Sequence, residues 1–333
     1  MKITPSNLKD FARRFAVAPG SKIDLKKDFD PADTAGYEKP ENAAAFLDEG
    51  VEFLANYQEK LYAENARSLL VVLQALDAAG KDSTIDHVMS GVNPQGCQVY
   101  SFKAPTPEEL DHDFLWRAIK ALPARGNIGI FNRSHYEEVL VVRVHPQFLT
   151  GQRLPPRTLG DGLWQQRFEE INNFEKYLVD NGTDIVKIYL NVSKDEQCRR
   201  QLARIDTPEK NWKFNAGDIE ERKYWDDYLA AYEAVFEHTS TPWAPWYVVP
   251  ADPKWFARIA VAGIIANKLI EMDPQFPAVD EKGQQAMLTC RATLIGECGD
   301  GAPAASTPQK PATAAPAKPD AKKDKSKKKS KKK

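Results

Sequence analysis

Hydrophobic and polar positions follow two different periods along this 333-residue chain. Residues 69–73 form an unbroken apolar run rich in branched side chains, which predicts a strand buried on both faces. Runs at 98–102, 127–131, 184–192 and 246–250 predict four further strands. Between them the spacing turns helical. Leu47, Val51, Leu54, Tyr57 and Leu61 mark a helix over 41–65, and Phe168, Ile171, Phe174 and Leu178 mark one over 167–180. Residues 194–206, 218–238 and 255–272 predict three more, the second carrying Trp225, Tyr228, Leu229, Tyr232 and Phe236 on one face. Thr106 as cap and Pro107 at the first position start a helix expected to run through Trp116 to about Leu122. Residues 1–40, punctuated by Pro5, Pro19, Pro31 and Pro40, read as an irregular arm. Strands alternating with helices, without an internal repeat, predict a doubly wound parallel sheet.

Composition narrows the class. Seven Trp and fifteen Phe within 42% apolar residues can fill a large α/β core. No apolar run approaches the ~20 residues of a membrane span, and no secretory pattern opens the chain. Four cysteines without C-x-x-C spacing predict reduced thiols, and five scattered histidines offer no metal-binding spacing. A cytoplasmic chain with no membrane contact is expected. The net charge of −1 hides an asymmetry: residues 301–333 hold eleven lysines and two aspartates, leaving −10 on residues 1–300. That Lys-rich tail lacks large apolar side chains, so it is expected to be disordered. It reads either as a solubilising segment or as an anchor for polyanions.

The chemistry gathers behind the first strand. Small residues and Gly80-Lys81 follow it at once and lead into a helix. This arrangement aims backbone N–H groups, a helix N-terminus and a mobile ammonium at an anion. The match to G-x-x-x-x-G-K-[ST] is partial, with Ala75 in place of the first glycine and Asp82 in place of the metal-binding hydroxyl. Asp77 is a carboxylate inside an anion cradle, which repels phosphate unless it holds a cation or a proton. A burst of polar residues, 132–138, follows the third strand, where open α/β sheets place their sites. Arg199, Arg200 and Arg204 lie on the 194–206 helix. Lysines alternate with aromatics over 207–214, either as a phosphate-binding surface or as a solvated face with Trp212 anchored in the core. The order of pieces is that of P-loop nucleotide kinases: a three-layer α/β/α fold, a five-stranded parallel sheet and a helical lid. No Asn-Lys-x-Asp motif supports a GTPase.

Four segments together resemble the second polyphosphate kinase family: residues 76–82 (LDAAGKD), 131–141 (FNRSHYEEVLV), 204–214 (RIDTPEKNWKF) and 244–251 (APWYVVPA). The resemblance spans about residues 20–276. It divides the chain into an arm (1–40), a phosphotransferase domain (41–276) with a lid at about 194–217, an extension (277–300) and the tail (301–333). It implies transfer of phosphoryl groups between inorganic polyphosphate and nucleotides, AMP and ADP above all, with guanine nucleotides as an alternative. Asn132 and Glu137 are similar to the subgroup that accepts both mono- and diphosphates; diphosphate-restricted relatives carry Asp and Asn there. Glu138 departs from the subgroup's usual Asp by one methylene.

On this resemblance Asp77, Lys81 and Arg133 are the catalytic residues, and Asp77 holds Mg²⁺, with Mn²⁺ as a substitute. Ala78, Ala79, Gly80, Asp82, Ser83 and Asn132 contact phosphate or nucleotide, Asp82 near the nucleotide phosphates or a second metal ion. Arg200, Arg204, Lys210 and Lys213 clamp phosphates from the lid, and Glu137 reaches the acceptor through metal or water. A homo-oligomer is implied. An ATP-dependent monophosphate kinase and a non-catalytic polyanion binder are the competing readings.

Overall fold

The computed structural model describes residues 5–37 and 43–298, so the Lys-rich tail and its expected disorder lie outside the described residues. The strands are β1 (Ser68–Ala75), β2 (Cys97–Ser101), β3 (Ile128–Asn132), β4 (Thr183–Asn191) and β5 (Trp246–Pro250). All pair in parallel in the order β2-β3-β1-β4-β5, with Leu73 opposite Asn132 and Ala75 opposite Leu190. β1 is buried at every position, as its continuous apolar run requires. It is flanked by β3 and β4, so its carboxyl end opens onto the centre of the sheet edge.

The longer helices are α1 (Pro5–Arg13), α2 (Ala43–Glu64), α3 (Lys81–Val88), α4 (Leu163–Asp180), α5 (Lys194–Asp206), α6 (Trp225–Thr239), α7 (Lys254–Met272) and α8 (Glu281–Cys298). α7 packs on β4 and β5 and against α1, α2 and α3, while α4 and α6 cover the other face of β4. The result is the expected three-layer α/β/α arrangement. The chain divides into two units after Pro277. The described part of the second unit, residues 278–298, holds α8, a helix with no buried residue.

Three expectations change. The arm is not irregular throughout: Pro5–Arg13 is helical, and Leu8, Phe11 and Phe15, at helical spacing, bury against Gly263 and Phe256 of α7. The helix expected from Pro107 breaks into Pro107–Leu110 and Trp116–Lys120. There the Asp113 carboxylate takes the Leu115 N–H at 2.9 Å and turns the backbone. The helix expected over 218–238 also divides, at the 3-10 turn Arg222–Tyr224. The Arg222 guanidinium donates there to Lys194 O and Gln197 Oε1, so α5 sets the direction of the turn.

Beneath the β3 end lies a fully buried charged group. Lys187, on the same face of β4 as Ile185 and Tyr189, donates to Glu175 Oε2 at 2.6 Å, Thr239 O at 2.7 Å and Tyr136 Oη at 2.9 Å. Tyr136 Oη in turn donates to Glu175 Oε1 at 2.7 Å. An ammonium has three N–H donors, and all three are used. Burial opposes ionising Glu175, but Lys187 and His135 outweigh it and hold its carboxyl below the usual range. This network pins the turn His135–Val139, which follows β3 directly.

Candidate active site

The loop between β1 and α3 takes its shape from two residues with positive φ. Ala78 (φ 60°) and Gly80 (φ 106°) both lie in left-handed backbone. A Cβ on Gly80 would meet nothing nearer than 3.6 Å, so its φ rather than lack of space calls for glycine. The first intrahelical bond of α3 is Thr84 N–H to Gly80 O at 3.0 Å, and no side chain caps the helix. The amides of Lys81, Asp82 and Ser83 therefore precede the hydrogen-bonded ladder and are available to an anion. Ser83 Oγ is turned inward, donating to Gly80 O at 3.1 Å.

Lys81 is 9% exposed and curls back on the loop, its ammonium donating to Ala75 O at 2.8 Å and Leu76 O at 3.4 Å. Burial first, and then the neighbouring Arg133 charge, push its pKa down to about 8 against the pull of Asp77, Glu137 and Asp82. An arriving phosphate raises it again and charges the lysine fully.

Asn132 and Arg133, at the end of β3, reach across to the loop. Arg133 Nη2 donates to Asp77 Oδ1 at 2.8 Å, and Asn132 Nδ2 donates to Asp82 Oδ1 at 2.6 Å. Arg133 itself has φ 63°, a strained conformation for a side chain of this size, fixed by its N–H bond to Leu73 O at 3.0 Å. Each of these two carboxylates, Asp77 in the loop and Asp82 at the start of α3, thus faces one partner at the end of β3. Glu137 stands behind this pair: burial pushes its carboxyl up, while Arg133 and then Lys81 pull it down.

A cleft of about 930 Å³ opens over these residues. The structure brings twelve of the fourteen predicted residues to its walls; the exceptions are Ala79 and Glu137. Ten cationic and four anionic side chains line it, a net of +6. Lys210 and Lys213 are exposed to it, and Arg204 pairs with Asp218 at 3.2 Å. Burial pushes the Asp218 carboxyl up, as does the Asp77 charge across the cleft. Trp212 is 78% exposed and carries Lys213 over its ring, so of the two readings of 207–214 the one with this indole anchored in the core does not hold.

Arg200 departs from the clamp expected of it. Its guanidinium donates to Ala79 O and Ala251 O at 2.6 Å, Asp252 O at 3.0 Å and Ala78 O at 3.2 Å, while Nε meets Glu196 Oε1 at 2.8 Å. All five N–H groups are occupied. Arg200 therefore holds the phosphate loop to the end of β5, helped by Gln197 Nε2 donating to Asp77 O at 2.9 Å. Arg204, one turn on, lines the cleft with its donors not consumed by backbone carbonyls, as does Arg199 on the same helix. Arg204→Ala is expected to lower turnover more than tenfold, about 1.4 kcal/mol, with an unchanged melting temperature. Arg200→Ala is expected to lower the melting temperature as well, because four carbonyls lose their donors. Steady-state rates and thermal unfolding of the two variants check both outcomes.

The donors are suited to a hard cation. Asp77 and Asp82 offer carboxylate oxygens, and no group of three His, Cys, Asp or Glu among the described residues could hold a metal alone. A divalent ion that fills its remaining positions with phosphate oxygens and water fits such a sparse set. Sequence reasoning missed Lys103, Asp218, Lys254 and Arg258 in the walls. The last two lie on a helix whose apolar stripe drew attention to its buried side.

Comparison with known proteins agrees with this geometry. The family described as Polyphosphate kinase 2 (PPK2) matches residues 37–277. An ADP-polyphosphate phosphotransferase of Rhodopseudomonas palustris is 48% identical over 289 residues, covering 86% of this chain and 100% of its own. An AMP/ADP-polyphosphate phosphotransferase of Meiothermus ruber is 44% identical, covering 83% and 99%. The crystal structure of Polyphosphate Kinase 2 from Arthrobacter aurescens TC1 superposes with a TM-score of 0.75 at 41% identity, over 86% of this chain and 97% of that one.

Proposed function

This chain belongs to the Polyphosphate kinase 2 family, and on that premise we propose that it moves the terminal phosphoryl group of inorganic polyphosphate to AMP and to ADP with Mg²⁺. The observation that carries this reading is the excess positive charge of the cleft in a body whose residues 1–300 carry a net −10. A donor made only of phosphates matches such a surface, and the field of the cleft draws it in.

Phosphoryl transfer asks the protein for in-line positioning and neutralised charge rather than for a covalent intermediate. The free amides at the start of α3 and the Lys81 ammonium hold the donor end. Arg133, released from Asp77, takes the equatorial oxygens of the moving group, where its fork gives two parallel bonds. Arg204, Lys210 and Lys213 close from the lid. Asp77, assisted by Asp82, would hold the divalent ion, which supplies charge neutralisation between donor and acceptor when bound.

Acceptor length is the finer question, since one of the relatives above is named for ADP and the other for AMP and ADP. Glu137 does not line the cleft and so acts on an acceptor across an intervening water. That water fills the depth which the second phosphate of ADP fills by itself. Glu137→Asn removes the charge at nearly constant length. AMP phosphorylation is expected to fall at least ~10-fold, about 1.4 kcal/mol of transition-state binding, and ADP phosphorylation by much less. One assay tests both readings: polyphosphate or ATP is supplied with AMP and Mg²⁺, and ADP and ATP are followed. Turnover with ATP alone would overturn the donor assignment, and an equal fall for both acceptors would move Glu137 into general catalysis.

A further inference from the structure

Gln74 is a polar side chain in the most buried strand of the sheet. It follows the apolar run Leu69–Leu73 on β1 and is 0% exposed. Its Nε2 donates to Ser134 Oγ at 3.0 Å. The same hydroxyl oxygen accepts from the Tyr136 N–H at 3.1 Å, and Ser134 O accepts from the Glu137 N–H at 3.1 Å. Gln74 thus grips the turn after β3 at the residue that starts it, three positions before Glu137. The other end of the amide, Oε1, is buried with no hydrogen-bond partner, which is costly inside a sheet. A leucine would fill the position without that cost. The strand therefore carries an imperfectly satisfied amide where packing alone calls for an apolar residue, and the gain has to lie in what the amide holds.

It holds the surroundings of Glu137. Burial pushes this carboxyl up most strongly; Arg133, Lys81 and a hydrogen bond from Gln74 pull it down, and Asp77 opposes them. From α6 the phenols of Tyr228 and Tyr232 face the same group, and burial first, with Glu137 among the nearby charges, pushes both up. Behind the turn Lys187, Glu175, His135 and Tyr136 pair among themselves. Arg133, Lys81 and Asp77 turn to phosphate and metal once substrates bind, whereas the neutral amide of Gln74 keeps its place in the sheet. We propose that Gln74 is a positioning residue for acceptor choice: it holds the Ser134 turn and the Glu137 carboxylate in the orientation that serves AMP, and ADP does not need it. This inference rests on the acceptor role given to Glu137 above.

The test compares wild type, Gln74→Leu, Glu137→Asn and the double variant, with polyphosphate as donor and AMP or ADP as acceptor. Gln74→Leu is expected to lower kcat/KM for AMP about fivefold and to leave that for ADP within about twofold. The retained ADP rate also shows that fold and reaction centre are intact. Added to Glu137→Asn, the change at Gln74 is expected to cost nothing further with AMP, because the group it positions is gone. The acid limb of AMP phosphorylation is expected to move to higher pH in Gln74→Leu. Losing a hydrogen bond to the carboxylate raises the Glu137 pKa, so the ionised form disappears sooner as pH falls. The ADP limb is expected to stay in place. Gln74→Met, closer to glutamine in length, is held to the same outcomes should the leucine variant fold poorly. Equal falls for AMP and ADP, or a double-variant loss equal to the product of the two single losses, would reduce Gln74 to a packing residue and overturn the proposal. Equal falls with Glu137→Asn itself would instead overturn the acceptor reading of Glu137, and the role of Gln74 with it.

Discussion

Asp77→Asn is expected to lower turnover at least ~10³-fold with AMP and with ADP alike, about 4 kcal/mol in transition-state stabilisation. The amide still accepts from Arg133, so the loop keeps its shape and the loss is one of charge. That charge does two things: it positions Arg133 at 2.8 Å before the donor arrives, and it is the central oxygen donor for a divalent ion. Asp82→Asn is the contrast. Asp82 is exposed and its partner is the neutral amide of Asn132, so its loss is expected to cost about tenfold or less. Initial rates over a series of Mg²⁺ concentrations separate the two, since removing a metal ligand moves the half-saturating concentration of the ion. If Asp82→Asn proves the more damaging change, the metal belongs beside α3 rather than inside the loop.

Lys187→Met is expected to destabilise the fold by about 3–5 kcal/mol, the usual cost of leaving a buried charge without its partner. Glu175 is wholly buried, and without the ammonium it keeps only Tyr136 and His135, the latter at 3.4 Å. The expected fall in melting temperature is about 10 °C, at about 2–4 °C per kcal/mol in a domain of this size. The double variant Lys187→Met/Glu175→Leu is expected to recover part of it, because an apolar pair of similar volume avoids the desolvation cost. The network also fixes the turn carrying Glu137, so the double variant should remain folded yet lose acceptor discrimination. A double variant less stable than Lys187→Met would show that packing rather than charge governs this part of the core.

The sequence showed its sheet clearly where both faces are buried. β1 is apolar without interruption from Leu69 to Leu73 and β5 from Trp246 to Pro250, and the strand–loop–helix around Gly80-Lys81 was readable because strand, turn and cation adjoin. Lys194–Asp206 was legible end to end, since Ser193 caps it and the expected span needed no tertiary help. α1 was hidden because prolines at 5 and 19 outweighed the Leu8, Phe11, Phe15 spacing. The break at Arg222 could not be read locally, because its cause is a carbonyl 28 residues earlier. In the site, residue type misled at Arg200: a cation beside a phosphate loop suggests a ligand contact, and only the folded path of β5 supplies the carbonyls that consume its donors. Lys254 and Arg258 escaped notice because a helix is usually read by the face it buries, and their face is the other one.

The Arg200 anchor also bears on the order in which the protein becomes competent. Its acceptors lie 122 and 121 residues back, at Ala78 and Ala79, and 51 and 52 residues ahead, at Ala251 and Asp252. Closing loops of that length is entropically expensive and slow compared with forming a local helix. The loop sequence is among the first parts of the domain to leave the ribosome, yet its conformation is locked only after β5 has joined the sheet. A chain released short of residue 252 would carry every residue of the Gly-Lys cradle and still lack the fixed carbonyls that give the cradle its shape.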